Sequence, residues 1–193
     1  MRAPEGAAGA GAAADGRRQR GDASRRAIVE AAARLIAEVG VAALTHRSAA
    51  EAAGVPAARV SYHFPRVDDL MAAAARQYLR DFDDRLRASA ATALTGERSI
   101  VDACTDVLHE LVTSGAQEFL GMVEVRLALA RRGRTIEDTG IVGVIESFGA
   151  DQRRALSIAA AMFGFAVLAA AEPTPVTRSQ VRDHVETVLG ASA

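Results

Sequence analysis

The side chains of this 193-residue sequence that could do chemistry are four histidines, one cysteine, and a polar and aromatic cluster at 59–63. His46, His63, His109 and His184 stand at no metal-ligand spacing from one another, and no HExxH occurs. Cys104 is alone, which excludes an intrachain disulfide and a cysteine-rich zinc site; its ordinary role is a small buried hydrophobe in a reducing compartment. The glycines at 7–11 and 140–143 lack a preceding strand and an associated lysine, so no phosphate loop is expected. TGIVGVIESFG holds no nucleophile elbow, and His109 beside Glu110 is weak evidence for a general base. No enzyme, metal or cofactor is expected. The cluster at 59–63 is different. The Arg59 fork suits guanine O6 and N7, while Ser61, Tyr62 and His63 can donate to phosphates or base edges.

The elements around that cluster are helical. Ser24 can cap a helix whose apolar positions Ile28, Ala32, Leu35, Ile36 and Val39 recur at 3.6-residue spacing, with Gly40 as its stop. Thr45 is an N-cap for a second helix with a small inner face of Ala49, Ala52 and Ala53, broken by Gly54. Pro56 suits the first turn of a third helix, in which Val60 and Phe64 both point inward. Three helices with a tight turn before the last form the plan of a helix-turn-helix. Thr45 and Arg47 would then face a phosphate strand, and Arg59, Ser61 and Tyr62 would lie off the inner face of the reading helix.

Helices are expected at about 68–90, 98–114, 117–131, 151–171 and 178–189, with a weaker one in 135–147. No strand pattern is convincing, so the fold class is all-α. Residues 1–22 have no periodic apolar face and read as a disordered tail. The apolar run at 155–171 is slightly short for a membrane span and reads as a packing helix, which makes the cytoplasm the expected location. Charge is uneven. Residues 23–66 carry six arginines against three acids, and residues 67–193 carry 13 arginines against 18 acids. A mildly basic module on an acidic body is compatible with nucleic-acid binding.

From Arg26 to about Leu70 the sequence closely resembles the DNA-binding domain of the TetR family of transcriptional regulators. AIVEAAARLIAEVGVAALTHRSAAEAAGV resembles that family's opening helix, glycine turn and Thr-led second helix. VSYHFP followed by DDL is similar to the end of its reading helix and the start of its fourth. Three positions depart: Ser61 stands where a tyrosine is general, Arg59 where a small residue or threonine is usual, and Val67 where a lysine often touches DNA.

The resemblance implies a helix-turn-helix domain at 23–67 and a ligand-binding, dimerising helical body at 68–193. It implies a homodimer on a pseudo-palindromic double-stranded operator, with no membrane partner. A small-molecule effector would relieve repression. A ligand-dependent co-repressor or activator, or more remotely a helical adaptor that does not bind DNA, are the alternatives. DNA contacts would come from Thr45, Arg47, Ala57, Arg59, Ser61, Tyr62, His63 and Arg66. Ligand contacts would come from Cys104, Leu108, Met122, Val123, Arg126, Met162, Phe163 and Phe165, with Arg126 a candidate partner for an anion. The dimer would form through Ala155, Ala159, Ala166, Ala170, Val181, Val185 and Leu189. Low aromatic content points to a small or aliphatic effector.

Overall fold

The computed structural model describes residues 7–136 and 140–190, with the side chains of 7–18 and of Arg20 left aside. Regular structure among these residues is helical: α1 (Ala7–Val39), a 3-10 turn (Val41–Ala43), α2 (His46–Ala53), α3 (Ala57–His63), α4 (Val67–Leu94), α5 (Ile100–Val112), α6 (Ala116–Ala130), α7 (Gly140–Ser147), α8 (Gln152–Ala171) and α9 (Arg178–Leu189). Of the tail at 1–22 expected to be disordered, residues 1–6 lie outside the described residues, and from Ala7 the chain is helical and continuous with α1. Alanine-rich composition explains this, because alanine has the highest helix propensity and needs no packed face. Ser24 therefore lies inside the helix rather than at its cap.

The head is built from α1 to α3 and the first turns of α4. Thr45 caps α2 by accepting from the Ser48 N–H, and the Ser48 hydroxyl in turn accepts from the Thr45 N–H. Gly54 ends α2 at φ 65°, a left-handed conformation that a Cβ would penalise. Ala49 and Ala50 are the buried face of α2, whereas Ala52 faces solvent. Val60 and Phe64 are buried, and each contributes about 1.5–3 kcal/mol toward docking α3 on the head.

One continuous buried cluster joins head and body, from Ile28 and Ile36 through Leu70, Leu79, Leu108 and Val125 to Val181 and Val185. α1 packs on α6, where Gly121 admits Ile36: a Cβ there would lie 2.9 Å from its Cγ2. Glu124 of α6 accepts from the Val41 N–H at 3.0 Å, fastening the head's turn to the body. α4 runs from the head along α5, α6 and α7. α9 lies on α5 through Asp102 and Asp106, which face Arg178 and Arg182. α9 begins with the Thr177–Gln180 capping box.

α8 is long and apolar enough, by length and composition, to cross a membrane. In this fold its inner face of Ala155, Ile158, Ala159, Met162, Ala166 and Ala169 is buried against the body. Leu156, Phe163 and Leu168 are exposed on the outer face. This corrects the expected dimer surface. Ala155, Ala159, Ala166, Val181 and Val185 are internal to the chain, and Ala170 and Leu189 are half-buried. The small residues allow close packing, but of α8 and α9 against their own body.

Candidate DNA-reading head and ligand cavity

The reading helix α3 is held from behind and bare in front. Val60 and Phe64 anchor it, Arg25 of α1 lies over the Phe64 ring at 5.1 Å, and His46 Nε2 donates to the Phe64 carbonyl at 2.7 Å. A carbonyl only accepts, so this contact fixes the His46 tautomer with the proton on Nε2. His46 was not singled out by sequence. Its spacing to Phe64 is 18 residues, and only the fold brings them together.

Ala57, Arg59, Ser61 and Tyr62 are exposed on α3, Tyr62 at 82%, and His63 is half-buried with its ring edge-on to Tyr62 at 5.3 Å. Thr45 and Arg47 are exposed at the start of α2, beside this surface in the chain's order. Arg47 pairs with Glu51 at 2.9 Å, and Arg66 pairs with Asp68 at 3.4 Å. The Arg47–Glu51 pair is solvent-facing and weak, and Arg66 is itself exposed although Asp68 is mostly buried, so phosphate can compete for either guanidinium. Val67 packs on the core, which leaves Arg66 as the nearby cation. An exposed row of one arginine, one serine and one phenol on a rigidly seated helix can enter a major groove and donate to base edges and phosphates.

The body contains a partly open cavity of about 460 Å³ lined by α4, α5, α6, α7, α8 and the end of α9. Of the residues named from the sequence, Cys104, Leu108, Met122, Met162 and Phe163 line it. Val123, Arg126 and Phe165 do not. Phe165 instead stacks on His184 of α9 at 4.2 Å, and Val123 and Arg126 fall on other faces of α6. Residues missed by sequence also line it: Tyr78, Phe82 and Leu86 of α4, Phe148 after α7, and Arg154 of α8. Tyr78, Phe82 and Leu86 recur at helical spacing along α4, and nothing in such a stripe separates core from cavity wall.

The cavity gathers most of the chain's few aromatic side chains. The chain has six phenylalanines and two tyrosines. Tyr78, Phe82, Phe119, Phe148 and Phe163 are all at the cavity, so ring surface is scarce overall and concentrated here. Tyr78 and Phe82 lie parallel, and Phe119 meets Phe163 edge-on at 5.7 Å. Burial pushes the Cys104 thiol up to about 11, so it is a neutral wall residue rather than a nucleophile. Among the described residues no group of three or more His, Cys, Asp or Glu could hold a metal ion.

Residues 28–74 match the family model described as bacterial regulatory proteins, tetR family. The multidrug binding protein EbrR complexed with ethidium is 28% identical, with a TM-score of 0.72 over 86% of this chain and 98% of that one. A member of the TetR family from Streptomyces coelicolor A3 is 27% identical, with a TM-score of 0.72 over 86% of this chain and 97% of that one. A putative TetR-family regulator from Mesorhizobium loti, 14% identical with a TM-score of 0.67 over 89% of this chain and 96% of that one, shares the fold. No curated protein matches the chain in sequence. In sequence over its head, and in fold over most of its length, the chain matches the TetR-family transcriptional regulators.

Proposed function

We propose that the protein is a cytoplasmic transcriptional repressor that binds a pseudo-palindromic operator as a homodimer and leaves it when a small molecule fills the body cavity. The observation that carries this reading is the pairing, in one chain, of a bare and firmly seated reading helix with an apolar cavity of ligand size. EbrR, also complexed with imidazole and with malachite green, supports a small-molecule effector for a body of this shape.

The dimer surface in this reading is the outer face of α8. Leu156, Ala160, Phe163, Gly164, Leu168 and Ala171 are exposed and fall at helical spacing. A second copy of the same face would bury them in an isologous contact. Repression and release need one further element, a body conformation that changes the spacing of the two heads and has its own affinity for ligand. α4 runs between cavity and head and is the natural carrier.

The test is selection of bound fragments from sheared genomic DNA of the source organism with purified protein at fixed moderate salt. Fragments sharing an inverted repeat support the repressor reading. Fragments recovered only when ligand is added would make the protein a ligand-dependent co-repressor or activator. No enrichment under either condition would favour an adaptor.

A further inference from the structure

We propose that the cavity takes an apolar compound bearing one carboxylate, with its apolar body inside and its carboxylate on the Arg154 guanidinium at the mouth. The inference rests on the body cavity being the effector site and adds the charge of what fills it.

Apart from Tyr78, Ser89, Cys104 and Arg154, the lining side chains are apolar. The first three are neutral. The Ser89 hydroxyl donates to the Ala103 carbonyl at 3.2 Å, and burial raises the pKa of the Tyr78 phenol and of the Cys104 thiol. No carboxylate stands among the described lining residues, so Arg154 carries the wall's one formal charge. Arg154 is also within reach of an occupant. It lies in the first turn of α8 and is exposed, as is Gly149, so the lining meets solvent between the end of α7 and the start of α8. Its guanidinium donates to the carbonyl of Leu189, itself a lining residue, at 3.3 Å, which holds the charge at that mouth.

The charge is uncompensated. Arg85, Arg178 and Arg182 of the same body pair with Glu110, Asp106 and Asp102. Among the described residues Arg154 has no carboxylate partner; Asp151, three residues before it, accepts from the Arg154 backbone N–H at 2.8 Å instead. The Leu189 carbonyl engages one edge of a five-donor fork, so donors remain for an incoming acid. An apolar acid suits both halves of the site. Its body leaves water for the wall, while its carboxylate stays partly solvated at the mouth and gains a charge-assisted partner. A cation of the same shape would meet a like charge there and find no counter-charge on the wall.

Decanoate, decan-1-ol and decylammonium share one chain and differ in the charge of the head. Binding of each to the full-length protein, below its micellar concentration, is measured by calorimetry in wild type, Arg154→Gln and Arg154→Lys. Arg154 is exposed and a glutamine can still donate toward the Leu189 carbonyl, so the fold is retained. Arg154→Gln should lower the ratio of decanoate to decanol affinity about five- to tenfold, and Arg154→Lys by less than about threefold. Decylammonium should bind more weakly than decanol in wild type and gain affinity in Arg154→Gln. Location is read separately. The chain has no tryptophan, and Phe148 lines the cavity next to Gly149, so emission from a Phe148→Trp variant should change over the concentrations at which decanoate binds. An affinity ratio unchanged in Arg154→Gln overturns the proposal, as does decylammonium binding wild type as tightly as decanoate; with a responding Phe148→Trp emission, both leave the cavity as the ligand site. Binding of none of the three, or binding that leaves that emission unchanged, contradicts the cavity reading itself, and the Arg154 proposal falls with it.

Discussion

Arg134 and Asp69 are 65 residues apart in sequence, yet the Arg134 guanidinium donates to the Asp69 carboxylate at 2.8 Å. Asp69 is in the first turn of α4, where the reading head ends, and Arg134 follows α6, which walls the cavity. Asp68 beside it faces Arg66 of the head at 3.4 Å as well as Arg132 and Arg134 at 3.7 and 4.0 Å. Asp68 therefore stands between a cation of the head and two of the body, while Asp69 pairs with Arg134 of the body. Acids at a helix N-terminus are also favoured by its dipole. Arg134→Ala should leave operator affinity in the absence of ligand within about threefold of wild type, since a half-exposed pair contributes little. The ligand-induced loss of affinity should shrink by about fivefold, as for removal of part of a coupling energy. Anisotropy titrations of labelled operator with and without ligand measure both.

Arg59→Ala should weaken operator binding by about tenfold and relax preference at one base pair, with the fold intact because the side chain is exposed. Competition against operators mutated one position at a time checks it. Equal weakening on every sequence would make Arg59 a phosphate contact.

Leu168→Glu should split the dimer without lowering the thermal midpoint, because Leu168 is 72% exposed. Ala166→Glu should do the opposite and damage the fold, because Ala166 has no exposed surface within its own chain. Sedimentation and thermal melts of the two variants separate these outcomes. A dimer that survives Leu168→Glu places the interface off this face of α8.

His46→Ala removes the donor to the Phe64 carbonyl and should cost about 1 kcal/mol, lowering the midpoint by a few degrees. Operator affinity should fall with it, because α3 loses a brace rather than a base contact. Calorimetry and the same anisotropy titration measure the two together.

The clasp between α5 and α9 should respond to acid. Asp102 is held below the ordinary carboxylate value by the Ser99 hydroxyl first and by Arg182 next; Asp106 is held below it by Arg98 first and then by Arg178. A lowered native pKa gives stability that is present above the unfolded-state value, near 4, and lost as pH falls through the native value. Melting midpoints should therefore drop between about pH 5 and pH 3, and Asp106→Asn should flatten that drop.

Local chemistry made the head legible. Thr45, Gly54, Val60 and Phe64 do in the fold what their types and spacing imply, because capping, left-handed turns and a short amphipathic helix are decided within a few residues. The body was legible only as helices. Which face of α8 turns inward depends on what packs against it, and small residues that suit a dimer suit an internal contact equally well. The inner stripe of Ala155, Ala159 and Ala166 and the outer stripe of Leu156, Phe163 and Leu168 have the same period. Likewise, Tyr78 and Phe82 read as core until α5, α7 and α8 close a cavity over them. Arg126 was attractive because of its apolar neighbours in sequence, but a neighbour in sequence lies on a different face of the helix.

Hydroxyl-radical footprinting of a selected genomic fragment tests the central claim most directly. The account expects two protected backbone patches on one face of the duplex, centred about 10 base pairs or a multiple of that spacing apart and lost together in Leu168→Glu. A single protected patch that persists in Leu168→Glu, or none at all, would contradict a dimer that reads DNA through paired α3 helices.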